Sequence, residues 1–290
     1  MPGGDGHFRR CRSRGAYRRR ELRGVSKLTP FLSALSFLTV FPFLGRRSYN
    51  QREISDSRAY YPAVGFLLGL LLMGVEYGAR ELFPVQLTAA LLLVVLVVVT
   101  RGLHLDGFMD VCDGLFGGYT KERRLEIMKD TNVGAFAVAG AASLLILKYG
   151  ALLSLLTIAP GAKGWWPLLL FPVLSRWSMV VALGVFPYVR GEGLGSPFHK
   201  GGAKIPTIIA ALTAGLLSIL VGGFGGLGIF VGASVLAWLG GKIMVNLLGG
   251  LTGDSYGAIN EVIEAGAIIA AVALLPYGWI EPLSILVGEL

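Results

Sequence analysis

Three aspartates, Asp106, Asp110 and Asp113, stand at spacings of four and three residues directly after a strongly apolar run. On an α-helix these spacings put the three carboxylates within about 60° of arc, so they share one face. Clustered carboxylates repel one another unless a cation neutralises them, and oxygen ligands suit Mg²⁺ or Mn²⁺ better than zinc. The cluster predicts a divalent metal site, with a solvated helix end as the alternative. Gly107 and Gly114 leave room for a phosphate or another backbone.

A second acidic cluster, Asp254, Glu261 and Glu264, follows a glycine-rich stretch near the carboxyl end of the chain. Spacings of seven and three residues allow these side chains to share a helical face. Glycine-rich backbone at a helix start can bind a phosphate while the acid binds a metal. We therefore predict one metal–diphosphate site shared by the two clusters, with helix capping by Asp254 as the alternative.

Basic residues supply candidate phosphate contacts. Arg176 and Lys148 lie deep inside apolar stretches, where ionisable side chains usually pair or serve function. The planar fork of Arg176 suits phosphate oxygens, whereas Lys148 is either a counter-ion to the carboxylates or a structural partner. Arg123 and Arg124 lie on a short interfacial helix that Thr120 is expected to cap. They either bind phosphates or, as the alternative, contact lipid headgroups or form a solvated face.

Two further positions have two interpretations each, and one segment is a candidate substrate loop. His104, two residues before the first aspartate, either touches substrate or serves local structure. Asp130 either returns to the metal cluster or caps the following helix. Arg190 and Glu192 lie in a glycine-rich segment after Pro187 that resembles a substrate loop.

Composition defines the class of protein that must hold these residues. Of the 290 residues 54% are hydrophobic and 15% are charged, and the mean hydropathy is +0.66, whereas soluble domains carry about 25% charge. The sequence therefore predicts an all-α, polytopic integral membrane protein. Its two cysteines, Cys11 and Cys112, indicate neither a disulfide framework nor a metal motif. Cys112 faces away from the aspartates and is expected to be a packing residue.

About seven stretches are long enough to cross a hydrocarbon core of about 30 Å, which takes about 20 residues. They run over residues 60–78, 85–101, 133–158, 165–187, 205–222, 227–248 and 259–280. The segment 29–44 is shorter and contains Pro30 and Pro42. Both of its flanks are basic, so we expect a re-entrant or interfacial segment, with a crossing as the alternative.

Residues 1–27 form a basic tail with nine lysines and arginines and two acidic residues. The tail therefore contributes +7 to the chain's net charge of +8. We expect a disordered cytoplasmic tail near anionic lipid; no folded basic face indicates nucleic-acid binding. Residues 28–290 are predicted to form a single membrane-embedded domain. With the basic loop 45–59 inside, alternation of the spans puts all the candidate site loops on the cytoplasmic side: 102–132, 188–204 and 249–258.

Taken together, the motifs resemble those of the cobalamin synthase family, the adenosylcobinamide-GDP ribazoletransferases. The matching stretches are 37–42, 102–114, 125–130, 134–136, 175–176, 187–195 and 249–254. They occur in order over nearly the whole chain except the tail, and they are specific as a set although each alone is weak.

The resemblance implies a catalytic domain in the cytoplasmic membrane, in contact with lipid, with its site facing the cytoplasm. Such enzymes join adenosylcobinamide-GDP to α-ribazole or its 5′-phosphate, release GMP and form adenosylcobalamin or its phosphate. Mg²⁺ is the implied metal. The expected metal ligands are Asp106, Asp110, Asp113, Asp130 and Asp254. Asp113 is the first candidate to accept the hydroxyl proton, and Arg176 joins the catalytic set. The expected substrate contacts are His104, Gly107, Gly114, Arg123, Lys129, Arg190, Glu192, Thr252, Gly253 and Glu261.

Two other functions stay open at this point. A CDP-alcohol phosphotransferase also uses aspartates at the membrane interface, but its Asp-Gly-x-x-Ala-Arg pattern is broken here, since Asp110 and Val111 replace Ala-Arg. A cation-coupled transporter would hold such carboxylates near the bilayer midplane. The nucleotide released, CMP, GMP or none, separates the three functions. The sequence leaves open whether the protein forms a homo-oligomer.

Overall fold

Long apolar runs punctuated by glycine and proline make a chain of helices. The computed structural model describes residues 29–41, 51–190 and 204–279, and these parts are helical apart from loops and one isolated bridge. The helices are α1 Thr29–Leu38, α2 Gln51–Ser57, α3 Tyr61–Ala79, α4 Val85–Val99, α5 Leu103–Gly117, α6 Lys121–Ile127, α7 Ala135–Ile158, α8 Ala162–Val185, α9 Lys204–Leu248 and α10 Gly253–Leu274. Single 3₁₀ turns occupy Arg58–Tyr60 and Leu275–Tyr277.

The all-α, polytopic class is confirmed. Among the described residues, five helical segments are long and apolar enough to cross a membrane, and a sixth is added if α4 and α5, bent by 88° at their junction, count as one broken span. Large apolar side chains such as Val98, Ile146 and Leu212 are more than half exposed. Such surfaces are normal against lipid and costly in water.

The 45-residue helix α9 folds back on itself. Gly223 breaks it, with a φ of 56° that side chains rarely adopt. A Cβ built on Gly226 would meet the carbonyl oxygen of Ser218, and one on Gly215 would lie 3.8 Å from the Phe230 ring. Residues 15 apart in a straight helix are about 22 Å apart. The two limbs therefore run antiparallel, as the predicted spans 205–222 and 227–248 require, while the total of seven spans stays a prediction.

Helix α8 occupies the centre of the bundle and packs against α3, α9 and α10. Its side chains Leu168, Phe171 and Leu174 are almost completely buried. It is helical despite Pro167 and Pro172, which membrane helices tolerate when neighbours satisfy the freed backbone groups.

Helix α1 has ten residues, so it is about 15 Å long, half of a hydrocarbon core. Its carboxyl end is tied to the end of α4, because Arg101 donates to the carbonyl of Phe37 at 3.1 Å and Val40 N–H donates to Val99 at 2.8 Å. This length agrees with the non-crossing segment predicted for 29–44. The tail 1–27 and part of the basic loop 45–59 lie outside the described residues.

Candidate active site

Parts of the two acidic clusters meet where α5 crosses α10: Asp106 and Asp110 from the first and Asp254 from the second. A Cβ on Gly107 would lie 2.9 Å from the backbone of Asp254, and a Cβ on Gly257 would lie 2.9 Å from the carbonyl oxygen of His104. Both distances are shorter than real Cβ contacts, so only glycine permits this approach. Gly107 therefore accommodates a neighbouring backbone, one of the two roles predicted for it, and the expected substrate contact at this residue is replaced by helix packing.

Three carboxylates face one another at this crossing. Asp110 is half-buried and senses the negative charges of Asp254 and Asp106, opposed by the positive charge of Arg190. Asp106 is exposed. Neither Asp106 nor Asp110 makes a side-chain hydrogen bond or ion pair with any residue that the structure describes, so both are available to a ligand.

Arg190 is held beside these carboxylates by a short parallel bridge. Val189 N–H donates to Leu251 at 2.9 Å, and Leu251 N–H donates to Pro187 at 2.8 Å. Arg190 Nη2 then lies 3.1 Å from Asp254 Oδ2. The loops after α8 and α9 thus meet at one end of the bundle, as predicted. Glu192 lies outside the described residues.

Helix α10 begins with a capping box between Thr252 and Ser255. The Thr252 hydroxyl accepts from Ser255 N–H at 3.2 Å, and Ser255 Oγ accepts from Thr252 N–H at 3.1 Å. Thr252 is completely buried, so its predicted substrate contact is corrected to a cap. The capping alternative for Asp254 is likewise wrong, because Thr252 has that role and Asp254 is left to pair with Arg190.

Asp113 has a different environment from the other two aspartates of α5. Its Oδ2 accepts from Gly134 N–H at 2.7 Å, and its Oδ1 accepts from Ala137 N–H at 2.8 Å. A carboxylate at a helix start satisfies orphan N–H groups and the helix dipole. Both oxygens are therefore engaged at the start of α7. The assignments of Asp113 as metal ligand and first proton acceptor are corrected to a helix anchor.

Asp130 is also separate from the cluster. It is fully exposed and accepts from the backbone N–H and side-chain amide of Asn132 at 3.0 and 2.7 Å. These hydrogen bonds hold the pKa of the Asp130 carboxyl below its usual value. It caps no helix, since α7 has Gly134 at its N-cap and Asp113 as its anchor. The structure supports neither predicted role.

Helix α6 closes over the outer end of α5. Thr120 caps it, as predicted, by accepting from Arg123 N–H at 3.2 Å. Gly114 faces Met128, whose Cγ a Cβ would meet at 2.5 Å, so its predicted substrate contact is corrected to packing. Arg124 donates to the carbonyls of Gly118 at 2.9 Å and Leu247 at 3.1 Å and is structural.

Two basic side chains of this region stay available as predicted substrate contacts. Arg123 is exposed and pairs with Glu126 at 2.7 Å, and Lys129 is exposed. Exposed pairs of this kind are weak and easily exchanged for another anion.

Lys148, Arg176, Glu261 and Glu264 form a buried ion network that joins α7, α8 and α10. Lys148 bonds to Glu261 and, at 2.6 Å, to Glu264, and Arg176 bonds to Glu264. All four side chains are at least nine-tenths buried. Two positive and two negative charges balance, which suits a low-dielectric interior.

The ion network bears on three predictions. Arg176 is completely buried and paired with an acid, so the phosphate-clamp assignment is corrected to a structural role. Glu261 is committed to Lys148 rather than to substrate. Lys148 is the counter-ion of two carboxylates of the second acidic cluster, Glu261 and Glu264, and through them it also ties α7 to α10.

A cavity opens beside the carboxylates, with about 610 Å³ of empty space including its mouth. Its polar lining comes from His104, Asp106 and Asp254, and Gly253 lies at its wall with open space beyond its Cα. Substrate contact by His104 and Gly253 therefore stays a prediction that the geometry favours. Of the apolar residues in the cavity walls, Phe37 and Leu103 lie in the family-like stretches 37–42 and 102–114, and no sequence pattern indicated the others.

No three His, Cys, Asp or Glu side chains within residues 29–41, 51–190 and 204–279 are arranged to hold a metal by themselves. Mg²⁺ usually binds one or two carboxylates together with substrate phosphates and retained waters. Asp106, Asp110 and Asp254 offer the right oxygen donors for that shared mode. The donor set thus fits a metal that arrives with a phosphorylated substrate rather than a closed protein cage.

Fold and site define a polytopic helical membrane protein with an acidic, phosphate-compatible site at one end of its bundle. Known families agree: the profile described as cobalamin-5-phosphate synthase matches residues 30–272. The chain belongs to that family and is an enzyme. Relatives named adenosylcobinamide-GDP ribazoletransferase are similar in sequence to this chain over most of its length.

The relative from Desulforamulus reducens is 40% identical, over 81% of this chain and 92% of its own length. The one from Desulfitobacterium hafniense is 38% identical, over 83% and 96%. The one from Pseudomonas fluorescens is 37% identical, over 85% and 100%. No solved structure matches the chain. Membership of this family sets aside the transporter and CDP-alcohol phosphotransferase alternatives.

Proposed function

We propose that the enzyme transfers the adenosylcobinamide phosphoryl group from adenosylcobinamide-GDP to α-ribazole or its 5′-phosphate and releases GMP. The family supplies the reaction class, and its relatives carry the name of this transferase. The structural observation that carries the proposal is the meeting of three carboxylates and Arg190 at the mouth of a cavity. That arrangement suits an anionic diphosphate on one side and an acceptor hydroxyl on the other.

The carboxylates that would hold Mg²⁺ are Asp110 and Asp254, which leaves Asp106 to accept a proton. When bound, the metal would supply positive charge to the diphosphate oxygens and to the departing GMP. Arg190 presents a planar guanidinium beside Asp254, a geometry that matches phosphoryl oxygens. When the substrate binds, Arg190 would exchange its ion pair with Asp254 for one with a phosphate and so stabilise the phosphoryl group in transfer.

The reaction itself is an in-line displacement at phosphorus. A ribose hydroxyl oxygen that both α-ribazole and its 5′-phosphate retain bonds to the phosphorus attached to cobinamide, and the bond from that phosphorus to the GMP oxygen breaks. The hydroxyl proton goes to Asp106, which lines the cavity and lacks a described partner. Binding both reactants at one helix crossing makes the reaction effectively unimolecular. This removes the entropic cost of bringing them together, which is a large part of the activation barrier in such transfers.

The site is proposed to face the cytoplasm. Its end of the bundle carries Lys121, Arg123, Arg124 and Lys129, while the opposite turns near 79–84 and 159–164 carry Arg80 and Lys163. Cytoplasmic loops are enriched in lysine and arginine. A cytoplasmic face would also receive both charged substrates without crossing the membrane, with lipid around the bundle.

The test is GMP release by the detergent-purified protein given adenosylcobinamide-GDP, α-ribazole and Mg²⁺. We expect one GMP for each cobalamin formed, loss of both with EDTA, and recovery when Mg²⁺ is restored. Omission of α-ribazole should stop GMP release, because the acceptor hydroxyl is the nucleophile. GMP release that persists without acceptor would point to hydrolysis and overturn the proposed transfer.

A further inference from the structure

The cavity beside the carboxylates has walls suited to a flat apolar ring. Phe37, Tyr61 and Tyr256 supply aromatic faces, and Leu103, Met179 and Leu183 supply aliphatic ones. The rings of Phe37 and Tyr61 are stacked, with their centroids 6.4 Å apart and an interplanar angle of 22°, so they form one aromatic wall. Aromatic side chains of this kind bind ring systems by offset stacking.

His104 is the exception in this apolar lining. Its side chain is only 2% exposed, and both ring nitrogens lack a hydrogen-bond partner within the described part of the chain. Leaving buried polar groups unpaired is costly, and most such groups in native proteins have a partner. Gly257 lets α10 press on the His104 backbone, so the helix crossing fixes where this imidazole stands.

A lipid chain would fill the walls but would leave the imidazole unsatisfied. A ligand with apolar faces and a ring nitrogen at its edge fits the walls and pairs the N–H of the imidazole. A neutral imidazole provides one N–H donor and one acceptor, and the free ring nitrogen of a benzimidazole nucleoside accepts one hydrogen bond.

We propose that this cavity is the subsite for the base of the acceptor nucleoside, in which His104 donates a hydrogen bond to the free ring nitrogen of the benzimidazole. This inference rests on the proposed transfer to α-ribazole, whose base is a dimethylated benzimidazole. Asp106 and Asp254 line the same cavity, so a base bound there extends its ribose toward the carboxylates. His104 thereby determines acceptor specificity, while the donor diphosphate binds outside the cavity.

The sharpest test changes the ligand rather than the protein. The indole analogue of α-ribazole has the same shape but carries a C–H in place of the free ring nitrogen. With wild-type enzyme we expect the analogue to raise the acceptor KM about tenfold or more, since a buried donor is then left unpaired. The KM for adenosylcobinamide-GDP should stay unchanged with either acceptor.

Substitution of His104 completes the test. His104→Leu should raise the KM for α-ribazole by a similar factor, leave the donor KM unchanged and abolish the discrimination against the indole analogue. His104→Gln retains an N–H donor and should restore part of the discrimination. Equal KM values for the two acceptors on wild-type enzyme would overturn the base subsite while leaving the proposed function intact.

Two other outcomes are equally decisive. Unchanged discrimination in His104→Leu would remove His104 from the acceptor site even if transfer proceeds. Absence of GMP release from wild-type enzyme with either acceptor would overturn the proposed function, and the subsite with it. The wild-type comparison needs no variant, so a folding defect in His104→Leu does not weaken the test.

Discussion

The carboxylate of Asp113 in α5 anchors the start of α7 through the backbone N–H of Gly134, 2.7 Å away. A second bond to Ala137 N–H engages its other oxygen. One acid of the cluster thus fixes the angle between the helix that carries the candidate site and the next span. The remaining acids of α5, Asp106 and Asp110, make no such bond to any residue that the structure describes.

Asp113→Asn should therefore act mainly on stability. The amide replaces one acceptor oxygen with a donor that opposes a backbone N–H, at a cost of about 1–2 kcal/mol in the free energy of unfolding. Turnover per folded molecule should stay within about tenfold of wild type. Thermal unfolding in detergent and GMP release measure the two effects. A variant that is as stable as wild type but inactive would show that Asp113 has a catalytic or metal-binding role after all.

Asp110→Asn should have the opposite profile. It keeps the shape of the side chain and removes a proposed metal ligand, so we expect GMP release to fall at least about 100-fold with unchanged thermal unfolding. Asp130→Asn is the matched control, because that carboxylate is exposed and its hydrogen bonds go to the neighbouring residues of its own loop. Near-normal turnover by Asp110→Asn would disprove the metal-site assignment.

Gly107→Ala should separate α5 from α10. The added methyl would lie 2.9 Å from the Asp254 backbone, so the helices must move apart by several tenths of an ångström or more. Overpacking of this kind costs about 1–3 kcal/mol and displaces Asp106 and Asp110 from Asp254. We expect lower stability and a larger proportional loss of kcat.

The control for this steric effect is Gly266→Ala, on the same α10 but with open space around its Cα. It should leave thermal unfolding and kcat close to wild type. If both alanine variants behave alike, helix propensity rather than the close crossing governs the response.

Lys148→Met should destabilise the whole bundle. Removing one partner of a buried ion network leaves Glu261 and Glu264 undercompensated, which costs about 3–5 kcal/mol. The double variant Lys148→Met with Glu261→Gln restores the balance of charge and should recover part of that loss in a thermal unfolding series. Lys242→Met, at an exposed site over Trp238, should be tolerated. A fully additive double variant would show that the charges do not couple.

Local patterns predicted the helices and the candidate acids. Apolar length marked the spans, and the spacing of Asp106 and Asp110 put both on one face, because helical periodicity is a property of adjacent turns. Thr120 was recognisable as a cap for the same reason. Even the break at Gly223 was indicated by a gap between two apolar stretches.

Local patterns of this kind could not predict which side chains pair across the tertiary structure. The two partners of Asp113 are 21 and 24 positions away, and Lys148 meets Glu261 across 113 positions. An acid in a metal site, an acid on a helix end and an acid in an ion pair have the same local sequence signature. Only the packing of α7, α8 and α10 distinguishes Asp110 from Asp113 and Asp254 from Glu261.

The ion network also constrains how the protein is made. Lys148 and Arg176 leave the ribosome more than 80 residues before Glu261, and each isolated charge at mid-membrane costs about 3 kcal/mol during insertion. Until α10 is inserted, Lys148 of α7 and Arg176 of α8 have no acidic partner. Their charges must reach the membrane surface by snorkelling or be shielded by the insertion machinery. A nascent chain arrested before Glu261 should accordingly be a preferred substrate for membrane quality control, whereas one arrested after Glu264 should be able to assemble its core.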